Sequence, residues 1–319
     1  MPPSLATVGV ASIGEMGVGI ARLLSAQNYR VLTNISDATS ESTRQRVKSA
    51  SIELVDTDQE LVAQADYILS IVPPRDAIST AKRFTEAAAG HVRDPEQEPL
   101  FYIDLNAISP NGARTLELLL KDYPMMRFLD GGIIGGAPKY KPDGSWTKPS
   151  IVVSGPHSLN DAPISGAHLA KVLNIKHIAD KIGPASGLKM CFASTTKGLT
   201  AIAIQSFTTA HTLGVLDDLQ AHLKDYSPKT GELAAQGLVG MPPKAYRWVD
   251  EMKEIAETFR TEGGFEKNLF DGVSEVFRFV ADETNLGKEK TEDRRVGKTP
   301  EDVARLVGQG LERKKEKVE

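Results

Sequence analysis

Val8-Gly9-Val10-Ala11-Ser12-Ile13-Gly14-Glu15-Met16-Gly17 is the stretch that decides the fold. Small and β-branched apolar residues lead into a turn of small residues. An apolar run at helical spacing (Val18, Ala21, Leu23, Leu24) leaves it. Strand, glycine turn and helix open a βαβ unit, where the fingerprint is G-x-G-x-x-G. Its three positions fall on Ser12, Gly14 and Gly17. The second glycine lets a diphosphate approach the backbone, and the third lets helix and strand pack closely. Free N–H groups at the helix start then hold the charge, so Ser12, Ile13, Gly14, Glu15, Met16 and Gly17 are the expected dinucleotide contacts. Losing the first glycine weakens the motif, but serine is small enough for the turn. A glycine turn that binds no nucleotide is the bland alternative, and the position between first strand and first helix speaks against it.

Outward from this turn, short β-rich runs alternate with helical stretches: Ala6–Ala11, Tyr29–Asn34, Tyr67–Val72, Leu100–Asp104, Arg127–Asp130 and Ile151–Ser154. Continuous apolar strands between amphipathic helices predict a doubly wound parallel sheet covered on both faces. The second half carries no such strands. From Gly187 to Leu216 runs a proline-free stretch interrupted only by Gly198 and Gly214, and helical patterns follow at Lys244–Thr261 and Phe265–Asp282. The expected organisation is a Rossmann-type α/β domain over residues 1–182 and an all-helical substrate and dimerisation domain over 183–285. A charged tail over 286–319 would be partly helical, solvated, and started by Thr299 as N-cap with Pro300 behind it.

Composition bounds the rest. The chain has 319 residues, 40% hydrophobic and 25% charged, which suits folded domains rather than wholesale disorder. A formal net charge of -4 gives no basis for nucleic-acid binding. The single cysteine, Cys191, excludes an intramolecular disulfide and a multi-cysteine zinc site, and its expected place is the core. The six histidines show no metal-type spacing. No apolar run is long enough to span a bilayer, and no leader pattern opens the chain, so no membrane association and a cytoplasmic location are expected.

The second strand ends at Asn34, where a carboxylate would bind the ribose hydroxyls of NAD. Asn34 with Ser36 and Arg44 suits a 2′-phosphate better, so NADP is the expected cofactor, with NAD as the alternative that Asp37 supports. Arg46 is a second guanidinium nearby, and an exposed helix face is the alternative for both arginines, weighing at least as much as the phosphate reading for Arg46. Two later strand ends, Val72-Pro73-Pro74 and Asp104–Pro110, border the same crevice, and the Asn106 amide is a candidate contact for nicotinamide or substrate. A loop amide bonded to backbone is the alternative for Asn106.

Four segments, in order, carry a resemblance: Gly14-Glu15-Met16-Gly17, Asp104–Pro110, Asp130-Gly131-Gly132-Ile133-Ile134-Gly135-Gly136 and Gly183-Pro184-Ala185-Ser186-Gly187-Leu188-Lys189. The chain resembles the β-hydroxyacid dehydrogenases, relatives of 3-hydroxyisobutyrate dehydrogenase and 6-phosphogluconate dehydrogenase. The run from Lys189 to Gly198 is similar to a subgroup whose C-terminal domain has no settled function. The resemblance implies that Lys189 is the general acid/base, giving a proton to the carbonyl oxygen as hydride arrives. It also implies that Gly135 and Gly136 bind a substrate carboxylate through backbone N–H groups.

Three positions depart from the family. Its substrate-binding serine is Ile134, the second glycine of the lysine motif is Ala185, and its asparagine one turn after the lysine is Ala193. These changes imply a larger or less polar substrate, or a lost activity. Thr196 and Lys197, two turns beyond Lys189, are candidates to replace the missing polar groups. In Tyr246-Arg247-Trp248, Arg247 is a weaker candidate acid clamp beside a packed aromatic. The leading expectation is an NAD(P)-dependent oxidoreductase acting on a hydroxy acid, its keto acid or a related carbonyl as a small-molecule substrate, assembled as a homodimer. An imine reductase-type enzyme is the second reading, and a non-catalytic dinucleotide-binding regulator the third.

Overall fold

A computed structural model describes residues 3–34, 41–90, 97–291 and 294–316. The chain divides into two compact units, Met1–Met190 and Cys191–Glu319. In the first unit the strands are β1 (Thr7–Val10), β2 (Arg30–Asn34), β3 (Glu53–Val55), β4 (Tyr67–Ser70), β5 (Leu100–Asp104), β6 (Met126–Ile134), β7 (Lys139–Tyr140), β8 (Trp146–Thr147), β9 (Ser150–Ser154) and β10 (Ile175–Ala179). Eight of them form one sheet in the order β10-β9-β6-β5-β4-β1-β2-β3, and β7 with β8 makes a separate hairpin. All neighbours in the large sheet are parallel except β6 and β9, which run antiparallel. The helices are α1 (Glu15–Ser25), α2 (Glu41–Ser49), α3 (Asp58–Gln64), α4 (Ala77–Ala89), α5 (Pro110–Leu120), α6 (Gly166–Leu173) and the beginning of α7 (Pro184–Thr212).

Successive strand residues face opposite sides, and two cores follow from that alternation. Val8, Val10, Tyr67, Leu69, Phe101 and Ile103 pack with Ile20 and Leu24 of α1 and Leu169 of α6. On the other face Ile68, Leu100 and Tyr102 pack with Leu61 of α3, Phe84 of α4 and Leu116 of α5. Because both faces are covered, the strands read as unbroken apolar runs. The chain leaves β1 toward β2 and β3 and returns to its other side with β4. The β1/β4 border is therefore the switch point where α/β sheets take ligands.

The second unit contains the remainder of α7, then α8 (Leu216–Tyr226), α9 (Pro228–Gly240), α10 (Ala245–Thr261), α11 (Phe270–Glu283) and α12 (Pro300–Glu316). Trp248 meets Phe277 edge-to-face at 5.1 Å, and Phe259 meets Phe270 at 5.3 Å. The Thr299 hydroxyl accepts the Asp302 N–H at 3.2 Å, as its capping role predicts. The expected solvated tail is corrected, because α12 buries Val303, Ala304, Leu306 and Val307. Among the described residues no helix is long and apolar enough to cross a membrane.

Candidate functional site

The glycine turn has the geometry of a cradle. A Cβ on Gly17 would lie 2.0 Å from the Ser12 carbonyl oxygen, so only glycine lets α1 start this close to the turn. A Cβ on Gly14 would meet nothing within 4 Å, so the backbone there is open to an approaching group. Gly14 caps α1 in extended conformation and brings no capping side chain of its own. These residues fit a dinucleotide diphosphate. Ser12 and Met16 are half-buried, Ile13 is buried, and Glu15 is exposed.

At the rim, Asn34 donates its amide to Asp58 at 2.9 Å, and Arg83 holds the same carboxylate. The Asn34 side chain is thus already engaged at the first turn of α3. Ser36 and Asp37 lie outside the described residues. Arg44 is half-buried on α2. Of the two readings open for Arg46, the exposed helix face does not hold: it is half-buried and donates to the Ile13 carbonyl at 3.3 Å. That contact brings a guanidinium onto the glycine turn itself. A spacing argument could not find it, because it depends on where α2 lies against the turn.

Across the switch point, the Val72 N–H donates to Asn106 Oδ1 at 2.6 Å. The Asn106 amide donates to the Ser70 hydroxyl at 2.9 Å and to Asp104. Asn106 is 2% exposed, and both its amide hydrogens are committed. Its side chain ties the ends of β4 and β5 together, which is the structural alternative read for it. Pro73 is exposed, and Val72 and Pro74 are half-buried beside this junction.

Asp104 itself was given no role from sequence, although a carboxylate closing a buried apolar strand is a visible oddity. It is fully buried and registers with Asp130 on β6. Burial, then the charge of Asp130, pushes its carboxyl up to about 8, against hydrogen bonds from Asn106 and Ser70. Between the usual carboxylate range and about pH 8, the folded chain therefore holds a proton that the unfolded chain has released. Stability is expected to fall as pH rises through that window, by a few kcal/mol in order of magnitude, and to level off above it. Urea unfolding from pH 5 to 9 checks this. An Asp104→Asn variant with the same slope as wild type would remove Asp104 as the cause.

Lys189 lies in the second turn of α7, half-buried. A Cβ on Gly132 would stand 2.7 Å from the Lys189 Cβ, so the lysine stem rests on the bare backbone of β6. Gly131 is equally tight, its would-be Cβ 2.8 Å from the Asp104 carbonyl oxygen. Gly132 lets α7 descend onto β6, while Gly131 is closed in by the neighbouring strands. Ile134 ends β6 half-buried, and Gly135 and Gly136 follow exposed, Gly135 with φ +117°.

In the second unit the candidate replacements are engaged. Lys197 pairs with Glu251, and its ammonium lies 4.7 Å over the Trp248 ring. The side chains are 15% and 9% exposed. The carboxylate that Lys197 holds is thus one from the protein. The Thr196 hydroxyl donates to the Phe192 carbonyl at 3.2 Å, an ordinary back-bond within the helix. Ala193 is buried, and Arg247 is half-buried beside the packed Trp248. Cys191, two residues round the helix from Lys189, is corrected from core to exposed.

Sheet order, switch point and glycine cradle define a dinucleotide-binding domain of the Rossmann class. Residues 7–161 match the NAD binding domain of 6-phosphogluconate dehydrogenase, which agrees with the resemblance read from the motifs. Residues 210–280 match a domain of unknown function, DUF1932. An uncharacterized 28.5 kDa protein of Methanothermus fervidus is 27% identical over 252 residues, 76% of this chain and 88% of that protein. A 3-hydroxyisobutyrate dehydrogenase from Salmonella typhimurium has TM-score 0.64 at 16% identity, covering 94% of this chain and 99% of its own. An imine reductase from Myxococcus stipitatus in complex with NADP+ has TM-score 0.51 at 18% identity, covering 94% and 99%. At those identities the two structures speak for a shared fold.

Proposed function

We propose that this chain is a nicotinamide-dependent reductase or dehydrogenase whose proton donor is Lys189. The observation that carries the reading is the seating of the Lys189 stem on Gly132, in the same unit as the glycine cradle. The cofactor supplies or accepts a hydride when bound. The Lys189 ammonium gives a proton to the oxygen of a carbonyl during reduction, and its amine takes the proton back during oxidation. Gly135 and Gly136 offer backbone N–H groups to an acid group on the substrate. NADP is the preferred cofactor, because Arg44 is placed on α2 and Arg46 reaches the turn that would hold the dinucleotide. The substrate is a hydroxy acid, its keto acid or a less polar carbonyl. Ile134 supports the less polar end of that range, and an imine is the second reading on the same ground. The test is fluorescence titration with NADPH and NADH, followed by turnover of keto acids, aldehydes and imines by wild type and Lys189→Ala. Turnover that survives the substitution overturns the assignment.

The assembly proposed is a homodimer through α7. Residues 192, 195, 199, 202, 206, 209 and 213 step by three and four, the spacing of a helix-packing seam. Phe192, Ile202 and Leu213 on that line are 45%, 55% and 70% exposed. A second copy of the same helix fits a seam with this repeat. Light scattering is expected to give twice the chain mass, and Ile202→Glu with Leu213→Glu to give one.

A further inference from the structure

We infer that Asp130 is the positioning residue of Lys189: it anchors the start of α7 so that the lysine falls on Gly132. This rests on Lys189 as the proton donor. Asp130 is fully buried in the middle of β6. Its Oδ2 accepts the Gly183 N–H at 2.9 Å, the Ser186 N–H at 3.2 Å and the Ser154 hydroxyl at 2.9 Å. Its Oδ1 accepts the Ser186 hydroxyl. The Ser154 oxygen, on β9, accepts the Ala185 N–H at 3.0 Å.

The first N–H groups of a helix have no partners inside it. Here every one is assigned. Gly183 and Ser186 go to Asp130, Ala185 goes to Ser154, Pro184 has none, and the Gly187 N–H already bonds the Gly183 carbonyl within the chain's own turn. A carboxylate at this end is also favoured by the helix dipole. The helix start is therefore closed by the protein's own anion, and a substrate acid group has no donor there. Gly135 and Gly136 are left to receive it.

The geometry closes on Lys189. Asp130 and Gly132 are two apart on one strand, so they share a face about 7 Å apart. Ser186 and Lys189 are three apart on α7, a rise of about 4.5 Å and nearly one full turn. The strand thus holds the helix at two points, one polar and one steric. Sliding α7 by one residue would turn Lys189 by about 100° away from the sheet.

The test uses full-length protein and the modification of Lys189 by trinitrobenzenesulfonate, read by peptide mass spectrometry with and without NADPH. In wild type, NADPH is expected to slow that modification. In Asp130→Asn the protection is expected to weaken, and in Asp130→Ala to vanish, with NADPH affinity unchanged because the glycine cradle is untouched. For the fastest substrate of the panel, kcat is expected to fall about 10- to 100-fold, Ala more than Asn, with KM held within about twofold. Ser186→Ala, which removes only one hydroxyl, guards against a variant that fails to fold and is expected to weaken protection in part. Protection equal to wild type in all three variants overturns the role of Asp130 and leaves Lys189 standing. No protection in wild type overturns Lys189 as well.

Discussion

Replacing Lys189 by alanine is expected to lower kcat by about 10²- to 10⁴-fold for any accepted carbonyl, the span that loss of a positioned acid/base produces. The same variant is expected to bind NADPH within about twofold of wild type, because kcat and affinity report different groups. Lys189 follows β6 in sequence, and its Cβ packs against the bare backbone of Gly132. Truncation to alanine keeps the Cβ that makes that contact, so the helix should not shift. A variant with wild-type turnover would mean that solvent or another group delivers the proton. A variant that lost NADPH binding together with turnover would mean that the lysine holds the cofactor instead.

The second large effect is expected from Gly17→Ala. The added methyl group would lie 2.0 Å from the Ser12 carbonyl oxygen. The backbone fixes the Cβ position and the oxygen is main chain, so no rotamer relieves the overlap, and the start of α1 must move off the turn. NADPH affinity is expected to fall at least about tenfold, because the N–H groups that would hold the diphosphate move together. Overpacking of this kind also costs about 1–3 kcal/mol of stability. Fluorescence titration and thermal unfolding check both halves. Gly14→Ala makes the contrast, since its methyl group would meet no protein atom: it is expected to fold like wild type and still bind NADPH more weakly. Unchanged affinity in both variants would take the cofactor away from this turn.

The architecture was legible because its signals are local. Strand alternation, the glycine turn and the change to helical spacing after the sheet each occupy a few residues. The strands missed were short or peripheral: β3 spans Glu53–Val55 at one sheet edge, and β10 lies at the other with alternate residues half-exposed. The antiparallel turn-back of β9 left no mark, since strand direction is not written in periodicity. The site was legible only in part. Lys189 and the glycines stood in motifs, but the partners of Asn106 and Lys197 belong to other elements. A polar residue in a plausible segment looks the same whether its hydrogen bonds point to a ligand or back into the fold. Asp130 was overlooked and Arg46 left open for the converse reason, because their contacts run across long sequence separations.

The paired glycines of β6 have a consequence for rigidity. Glycine in a strand carries no side chain to pack and leaves the unfolded chain unusually free. At the two positions beneath Lys189 the strand thereby lacks the β-branched side chains that would stiffen it. Its order comes instead from its flanks, laddered to β5 over Leu100–Asp104 on one side and to β9 over Ser150–Ser154 on the other. Damage to either neighbour should therefore loosen the floor beneath Lys189 before it unravels the sheet.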